Sequence, residues 1–200
     1  MQDQSPPERP YTCHPLFIAW GNLNLRLRDR GITPEADGLR FSRHGRVVRR
    51  PYSDIAEINL MLIAMPKSAD MAQMTIRFRD GQRMRLLNTT EWGNVDADQT
   101  QHYYRFKADL HQRLVASGAA DSIAFTSGYT AGRASGVRVV LAVAAAFFII
   151  APIVIFLMTG QPQALLICLA GIAFVLPFRR AAQRNAPARY DPRSPPDMLA

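Results

Sequence analysis

Residues 137–158 read VRVVLAVAAAFFIIAPIVIFLM, and this stretch decides the architecture of the chain. Its only charged side chain is Arg138, near the start. As an α-helix the stretch would be about 33 Å long, which matches a hydrocarbon core of about 30 Å. The alternative is a helix buried in a soluble domain, but a domain of this size could hardly surround a helix that is apolar on every side. The stretch therefore predicts a first transmembrane helix, in which Pro152 is tolerated.

A second apolar run follows at residues 164–178 and carries no charge. It is shorter than the roughly 17–25 residues that a span usually needs, so a re-entrant or interfacial segment stays open as an alternative. The connector between the runs, residues 159–163, contains Gly160 and Pro162, which favour a tight turn. The two runs therefore predict an antiparallel hairpin of two transmembrane helices that spans a lipid bilayer.

Positive charge is concentrated beside these runs. The chain has 24 Lys+Arg against 16 Asp+Glu, a net charge of +8, and the arginines outnumber the acidic residues most clearly from residue 133 onward. The connector is uncharged, so the positive-inside rule predicts a multi-pass protein of the inner (cytoplasmic) membrane with both termini cytoplasmic. The same placement disfavours nucleic acid as the partner of this basic chain. The topology-determining arginines are Arg133, Arg138, Arg179, Arg180 and Arg184.

The N-terminal residues 1–22 predict an arm outside the main domain. Their start is Pro-rich and lacks the basic and apolar regions of a secretory signal. An apolar patch at residues 16–20 would pack on the domain or touch the bilayer. The only two cysteines, Cys13 and Cys168, fall in unlike surroundings, which indicates two unpaired thiols in a reducing compartment.

Residues 23–117 predict a mainly β, α+β soluble domain. Leucines at positions 23, 25 and 27 alternate with polar residues, which is the period of a half-buried strand. Further short strands are separated by turn signals such as Asp37-Gly38 and Asp80-Gly81. One amphipathic helix closes the domain, and Gly118 ends it. The apolar face of that helix consists of Tyr103, Phe106, Leu110 and Leu114.

The stretch from Leu23 to Val115 resembles the bacterial pleckstrin-homology-like (PH-like) domains, which are often joined to paired transmembrane helices. The resemblance implies a partly open, bent antiparallel barrel that is capped by one C-terminal helix. It also implies binding or scaffolding rather than catalysis. In the family the helices often precede the domain, whereas here they follow it. The residues that carry the resemblance are Asp37-Gly38-Leu39, residues 52–58, the Asp80-Gly81 hairpin, and Phe106 with Leu110 in the closing helix.

The Asp80-Gly81 hairpin is the most informative local pattern. A three-residue loop at residues 79–81 would place Ile76 opposite Met84 and keep the apolar residues on one face, whereas a two-residue loop would mix the faces. Two interpretations of the resulting basic face stay open: a solvated surface, or a surface that binds anionic lipid headgroups. The arginines of this face are Arg77, Arg83 and Arg85, with Arg79 at the tip.

No motif in the chain indicates catalysis, a metal or a cofactor. Cys13-His14 has no second pair to complete a zinc site, and His102 and His111 are not at ligand spacing. Residues 118–136 predict a linker, and residues 179–200 a basic, Pro-rich cytoplasmic tail that is disordered and solvated, or docks a partner. We therefore expect a membrane-anchored, non-catalytic binding or scaffold module that recruits a protein partner or reads anionic headgroups. The alternative is an enzyme that acts on a membrane-associated substrate.

Overall fold

The computed structural model describes residues 11–20, 27–63, 69–129 and 131–197. The first ten residues of the predicted arm, the alternating Leu23 and Leu25, and most of the loop predicted around residues 66–70 lie outside the described residues. The described chain forms one β-rich domain and a pair of long helices.

Nine strands and four α-helices follow one another along the described chain. The strands are β1 (His14–Trp20), β2 (Asp29–Pro34), β3 (Gly38–Arg43), β4 (Arg46–Pro51), β5 (Ile55–Ile63), β6 (Met71–Phe78), β7 (Arg83–Leu87), β8 (Ala124–Ser127) and β9 (Ala188–Arg189). The helices are α1 (Ala97–Ala116), α2 (Ala131–Ala145), α3 (Ala151–Thr159) and α4 (Gln163–Arg184). Short 3-10 turns cover Tyr52–Asp54 and Ala119–Ser122, and a π-helical turn, Ala146–Ile150, joins α2 to α3.

The strands form one open sheet in the order β4-β3-β2-β1-β7-β6-β5-β8-β9. The mainly β, α+β class predicted from the sequence is confirmed. The prediction of a purely antiparallel arrangement is wrong, because β8 pairs with β5 in the parallel direction. The parallel pair is possible because α1 intervenes between β7 and β8 and returns the chain to the same end of the sheet.

Helix α1 covers one face of the sheet, as its apolar spacing predicts. The Asp96 side chain accepts a hydrogen bond from the Gln99 backbone N–H, which caps the helix at its N-terminus. The predicted apolar face is buried in the same core as the inward side chains of the strands. Burial of these side chains is the main force that holds α1 on the sheet. The buried members of the helix face are Tyr103, Phe106, Leu110 and Leu114.

The apolar patch expected in a loose arm is instead β1, an interior strand of the sheet. It pairs with β2 on one side and with β7 on the other. Leu16 and Ile18 face the core and are fully buried. Local patterning did not reveal the strand, because its two partners lie at sequence positions far from one another and only the folded chain brings them together.

The linker and the tail also belong to the domain. Strand β8 lies inside the predicted linker, and β9 lies inside the predicted disordered tail, so both expectations are wrong for the residues described. The Tyr190 ring packs against the rings of His111 and Phe125. The Lys107 ammonium donates a hydrogen bond to the Pro196 carbonyl at 3.0 Å. Burial of the aromatic rings and these polar contacts offset the entropy that the tail loses when it is ordered. The composition of the tail did not predict these contacts.

Two helices are long and apolar enough to cross a membrane. They cover Ala134–Thr159 and Leu165–Arg184. The second helix therefore continues past the predicted end at residue 178, and the added residues include Arg179, Arg180 and Arg184. Pro152 has no N–H to donate to the Phe148 carbonyl, and the π-helical turn immediately precedes it.

The two long helices approach closely where Gly171 meets Phe148. A Cβ at position 171 would lie 2.5 Å from the Phe148 carbonyl oxygen, so only glycine fits at this contact. Small residues allow such backbone contact between membrane helices. The closest approach of the two helices therefore lies four residues before Pro152.

Candidate functional site

The predicted hairpin register is confirmed. Arg77 lies opposite Arg83 and Ile76 opposite Met84, and Gly81 has the left-handed φ of +84° that a three-residue loop requires. The buried residues of this pair face α1, so the alternate side chains point to the other side of the sheet. We call this second side the outer sheet face; its residues on the central strands include Glu57, Asn59, Met61, Gln73, Thr75, Arg77, Arg83, Arg85 and Leu87.

Two of the four predicted arginines are engaged inside the domain. Arg77 forms an ion pair with Glu57, with Nε and Nη2 at 3.0 and 2.9 Å from Oε2. Arg79 donates to the Ser53 carbonyl at 2.7 Å and to the Ser122 carbonyl at 3.3 Å. Arg79 therefore connects the hairpin tip to the entry of β5 and to the turn before β8. These contacts direct both guanidinium groups towards neighbours of the domain rather than outward.

The other two arginines give the outer sheet face its positive charge. Arg83 is exposed and forms no ion pair within the part of the chain that the structure describes. Arg85 is half-buried, and its burial lowers the pKa of the guanidinium. Arginine stays protonated despite such a shift because its pKa is so high. Arg83 therefore presents a cationic donor suited to a carboxylate or phosphate group on this face.

The hairpin arginines lie far from the helix-flanking arginines. Strand β6 starts with Met71 opposite Ile63 and ends with Phe78 opposite Ile55. The two long helices join the domain beside Leu62, at the starting end of β6. At about 3.3 Å per residue the hairpin tip lies roughly 23 Å along the strand from that end. The structure thus brings Arg77, Arg79, Arg83 and Arg85 together and keeps them apart from the two long helices.

The two long helices enter and leave the domain at one point, which we call the anchor junction: Leu62, Gly128, Tyr129 and Asn185. Strand β8 precedes α2 and β9 follows α4, and the two strands pair with each other. The buried Asn185 side chain accepts from the Leu62 N–H at 3.1 Å and donates to the Leu62 carbonyl at 2.6 Å. The side-chain amide thus forms the two hydrogen bonds with Leu62 that the backbone of a neighbouring strand would otherwise form.

Backbone contacts complete the anchor junction. The Gly128 N–H donates to the Leu60 carbonyl at 2.7 Å, and the Tyr129 N–H donates to the Asn185 carbonyl at 2.8 Å. Gly128 has a φ of +77°, and a Cβ there would lie 2.4 Å from the Asn185 carbonyl oxygen. A side chain at position 128 would therefore separate the two ends of the helical hairpin.

A cleft of about 560 Å³ lies between α2 and α4 next to the anchor junction. Its walls are mainly apolar, and one arginine from each helix lines it: Arg138 and Arg179. Arg180 does not line it, and Arg184 is held 3.8 Å from Asp70. The side chain of Arg133 lies outside the described residues. Two of the five arginines that the sequence analysis predicts to determine the topology are thus brought together.

A second, more polar cleft of about 370 Å³ lies between the Ala119–Ser122 turn and β9. It includes Asp121, Asp191, Arg189 and Arg193. The Asp191 carboxylate accepts from the Arg193 N–H at 2.9 Å, which is a local turn contact. Among the described residues, no group of three His, Cys, Asp or Glu side chains could hold a metal ion.

No protein-family model, curated protein or solved structure matches this chain. The junction residues Gly128 and Asn185 were not recognised from the sequence. The only local signals were a glycine in a Ser-Gly-Tyr turn before the first helix and an asparagine directly after the second. Neither signal names Leu62 as the partner, because that contact joins residues 123 positions apart.

Proposed function

We propose that this protein is a membrane-anchored, non-catalytic binding module that recruits a protein partner to the cytoplasmic surface of the inner membrane. In this proposal the two long helices span the bilayer with both termini cytoplasmic, as the flanking arginines and the uncharged connector indicate. The domain is PH-like in the proposal, since one helix, α1, covers one face of a mainly antiparallel sheet.

The anchor junction is the observation that carries the proposal. Both ends of the helical hairpin are joined to the sheet, by the β8–β9 pair and by the Asn185 contacts with Leu62. A domain on a single flexible linker would sample many orientations, whereas two fixed connections restrict its rotation. A binding surface held in a constant orientation near a membrane loses less entropy when its partner binds.

The outer sheet face is the surface that we propose for the partner. Helix α1 occupies the opposite side of the sheet, and the outer side carries the exposed, cationic Arg83 among polar and apolar side chains, with Glu57 paired to Arg77. Charge complementarity favours a partner with Asp or Glu side chains at its contact surface. Arg77, paired with Glu57, would contribute shape rather than net charge.

Photo-crosslinking of the full chain in its native membrane tests this proposal. A photoreactive residue at position 75, on the outer sheet face, should give one discrete protein adduct. Arg83→Glu, which reverses the exposed charge on the same face, should reduce that adduct at least tenfold. Arg46→Glu is the matched control, because Arg46 is also exposed but belongs to the edge strand β4.

Three outcomes would contradict the recruitment proposal. The first is the absence of a protein adduct at position 75, and the second is an equal loss of adduct in both charge-reversal variants. The third is an adduct with lipid instead of protein, which would support a surface that reads anionic headgroups through Arg83 and its neighbours.

The rival proposal is an enzyme that acts on a membrane-associated substrate. The polar cleft beside β9 favours it, because two carboxylates and two arginines line the same space. Two results together would support the enzyme. The protein would turn over a membrane substrate, and Asp121→Asn would abolish that turnover while leaving the crosslink at position 75 unchanged. Both aspartates are exposed, so the cleft lacks the buried surroundings that general acid–base catalysts usually have.

A further inference from the structure

The cleft between α2 and α4 combines apolar walls with a cationic mouth. Leu141, Ala145, Ile149 and Ile172 are among the residues that form the walls. Tyr129, Gln183 and Pro187 line the end nearest the domain. This division of polarity along one cleft is the division found along a phospholipid molecule, with its acyl chain and its headgroup.

The depth of the two arginines matches the headgroup region. The helices touch at Phe148 and Gly171. Arg138 precedes Phe148 by ten residues and Arg179 follows Gly171 by eight, so both lie about 12–15 Å from that contact on the domain side. Arg138 precedes Gly160 of the connector by 22 residues, and Arg179 follows Gln163 by 16. The arginines are therefore separated from the connector by about 33 Å along the first helix and about 24 Å along α4, distances that bracket the roughly 30 Å thickness of a hydrocarbon core.

The charge of the cleft is uncompensated. Residues 131–184 contain no Asp or Glu. Within the described part of the chain, neither Arg138 nor Arg179 forms an ion pair, and both are exposed. Two guanidinium groups at the headgroup level attract an anion, and basic pockets between membrane helices are known to hold anionic headgroups.

We propose that this cleft binds one anionic phospholipid, with its phosphate between Arg138 and Arg179 and an acyl chain along the apolar walls. The bound lipid fills the space between α2 and α4 next to the anchor junction. The packing of α2 against α4 therefore depends on the anionic lipid content of the leaflet on the domain side. The lipid site is separate from the outer sheet face, and neither requires the other.

Native mass spectrometry of the full chain in mild detergent tests the lipid site. Titration with phosphatidylglycerol should give a one-to-one adduct, and phosphatidylcholine with the same acyl chains should bind more weakly. Arg138→Gln and Arg179→Gln should each weaken phosphatidylglycerol binding about fivefold. The double variant should weaken it about thirtyfold. Inorganic phosphate at millimolar concentration should not displace the lipid, because it cannot occupy the apolar walls.

Two further variants test whether weaker binding reflects the loss of this site rather than a general loss of positive charge or misfolding. Arg180→Gln removes an adjacent arginine that does not line the cleft, and it should bind like the wild type. Ala145→Leu fills the apolar part and should weaken the binding of both lipids. The proposal is overturned by equal affinity for the two lipids, by unchanged binding in the double variant, or by an equal loss in Arg180→Gln. A doubled protein mass without bound lipid would overturn it as well, since a second copy would then occupy the cleft.

Discussion

At the scale of the residue, Asn185 decides how the helices are attached to the domain. Its amide satisfies both backbone groups of Leu62, and its side chain is almost fully buried. Asn185→Ala leaves those two groups without partners, so we expect a loss of about 2–4 kcal/mol in the free energy of unfolding. Denaturant titration of the full chain in detergent measures the loss. Asn94→Ala, at an exposed asparagine, is the control and should change stability by less than about 0.5 kcal/mol.

His111 gives the attachment of the tail a pH dependence. Its Nδ1–H donates to the Lys107 carbonyl, and its Nε2 lies 2.9 Å from the Tyr190 hydroxyl, from which a neutral ring accepts. Burial lowers the pKa of His111 below its usual value near 6.5. Because the pKa of His111 is lower in the folded than in the unfolded state, its contribution to the free energy of unfolding is fully present above about pH 6.5. That contribution is lost as the pH falls through the folded-state pKa. Burial lowers the pKa of His14 as well, so it contributes in the same direction.

We therefore expect the unfolding free energy to decrease as the pH falls below about 6.5, with a smaller slope in His111→Phe than in the wild type. Tyr190→Phe keeps the ring contact and the titratable histidine, so it should lower stability and retain a pH slope. Thermal unfolding at several pH values measures both. Identical slopes for the wild type and His111→Phe would show that this histidine does not report on the docking of the tail.

At the scale of the element, α1 is the helix on which the sheet depends. Leu110 is fully buried against the sheet, so Leu110→Ala should lower the free energy of unfolding by about 2–5 kcal/mol. Gln112→Ala, two residues further on the exposed side of the same helix, is the matched control and should have little effect. Chemical denaturation of both variants compares them, and a loss well below 1 kcal/mol for Leu110→Ala would place α1 outside the core.

The periodicity of α1 could be read from the sequence because it depends on neighbours three and four residues apart. The hairpin register was predictable for a similar reason, since only one loop length keeps the apolar residues on one face. The pairing of β1 and the addition of β8 and β9 could not be read. Each depends on backbone contacts between distant segments, and no local pattern specifies a partner.

At the scale of the whole molecule, the hairpin of long apolar helices is an insertion between two paired strands. Because Tyr129 and Asn185 are joined by a 2.8 Å hydrogen bond, a short Asn-Gly turn can replace residues 130–184. We expect this variant to be water-soluble and folded, with a cooperative unfolding transition. Residues 1–132 alone lack β9, Asn185 and Tyr190, so they should unfold at a lower denaturant concentration. Equal midpoints for the two proteins would show that the tail adds nothing to the domain.

The sequence by itself determined the two apolar helices, the mainly β composition of the domain, the amphipathic helix and the hairpin register. These properties arise from the length, periodicity and turn chemistry of single segments, and each can be read within a window of a few residues. Only the tertiary structure decided that the N-terminal patch is an interior strand and that the tail returns to the sheet. It also decided that Asn185 binds Leu62 and that Arg138 and Arg179 share one cleft. These features are contacts between residues that are distant in sequence, and their free energy exists only when the whole chain has folded.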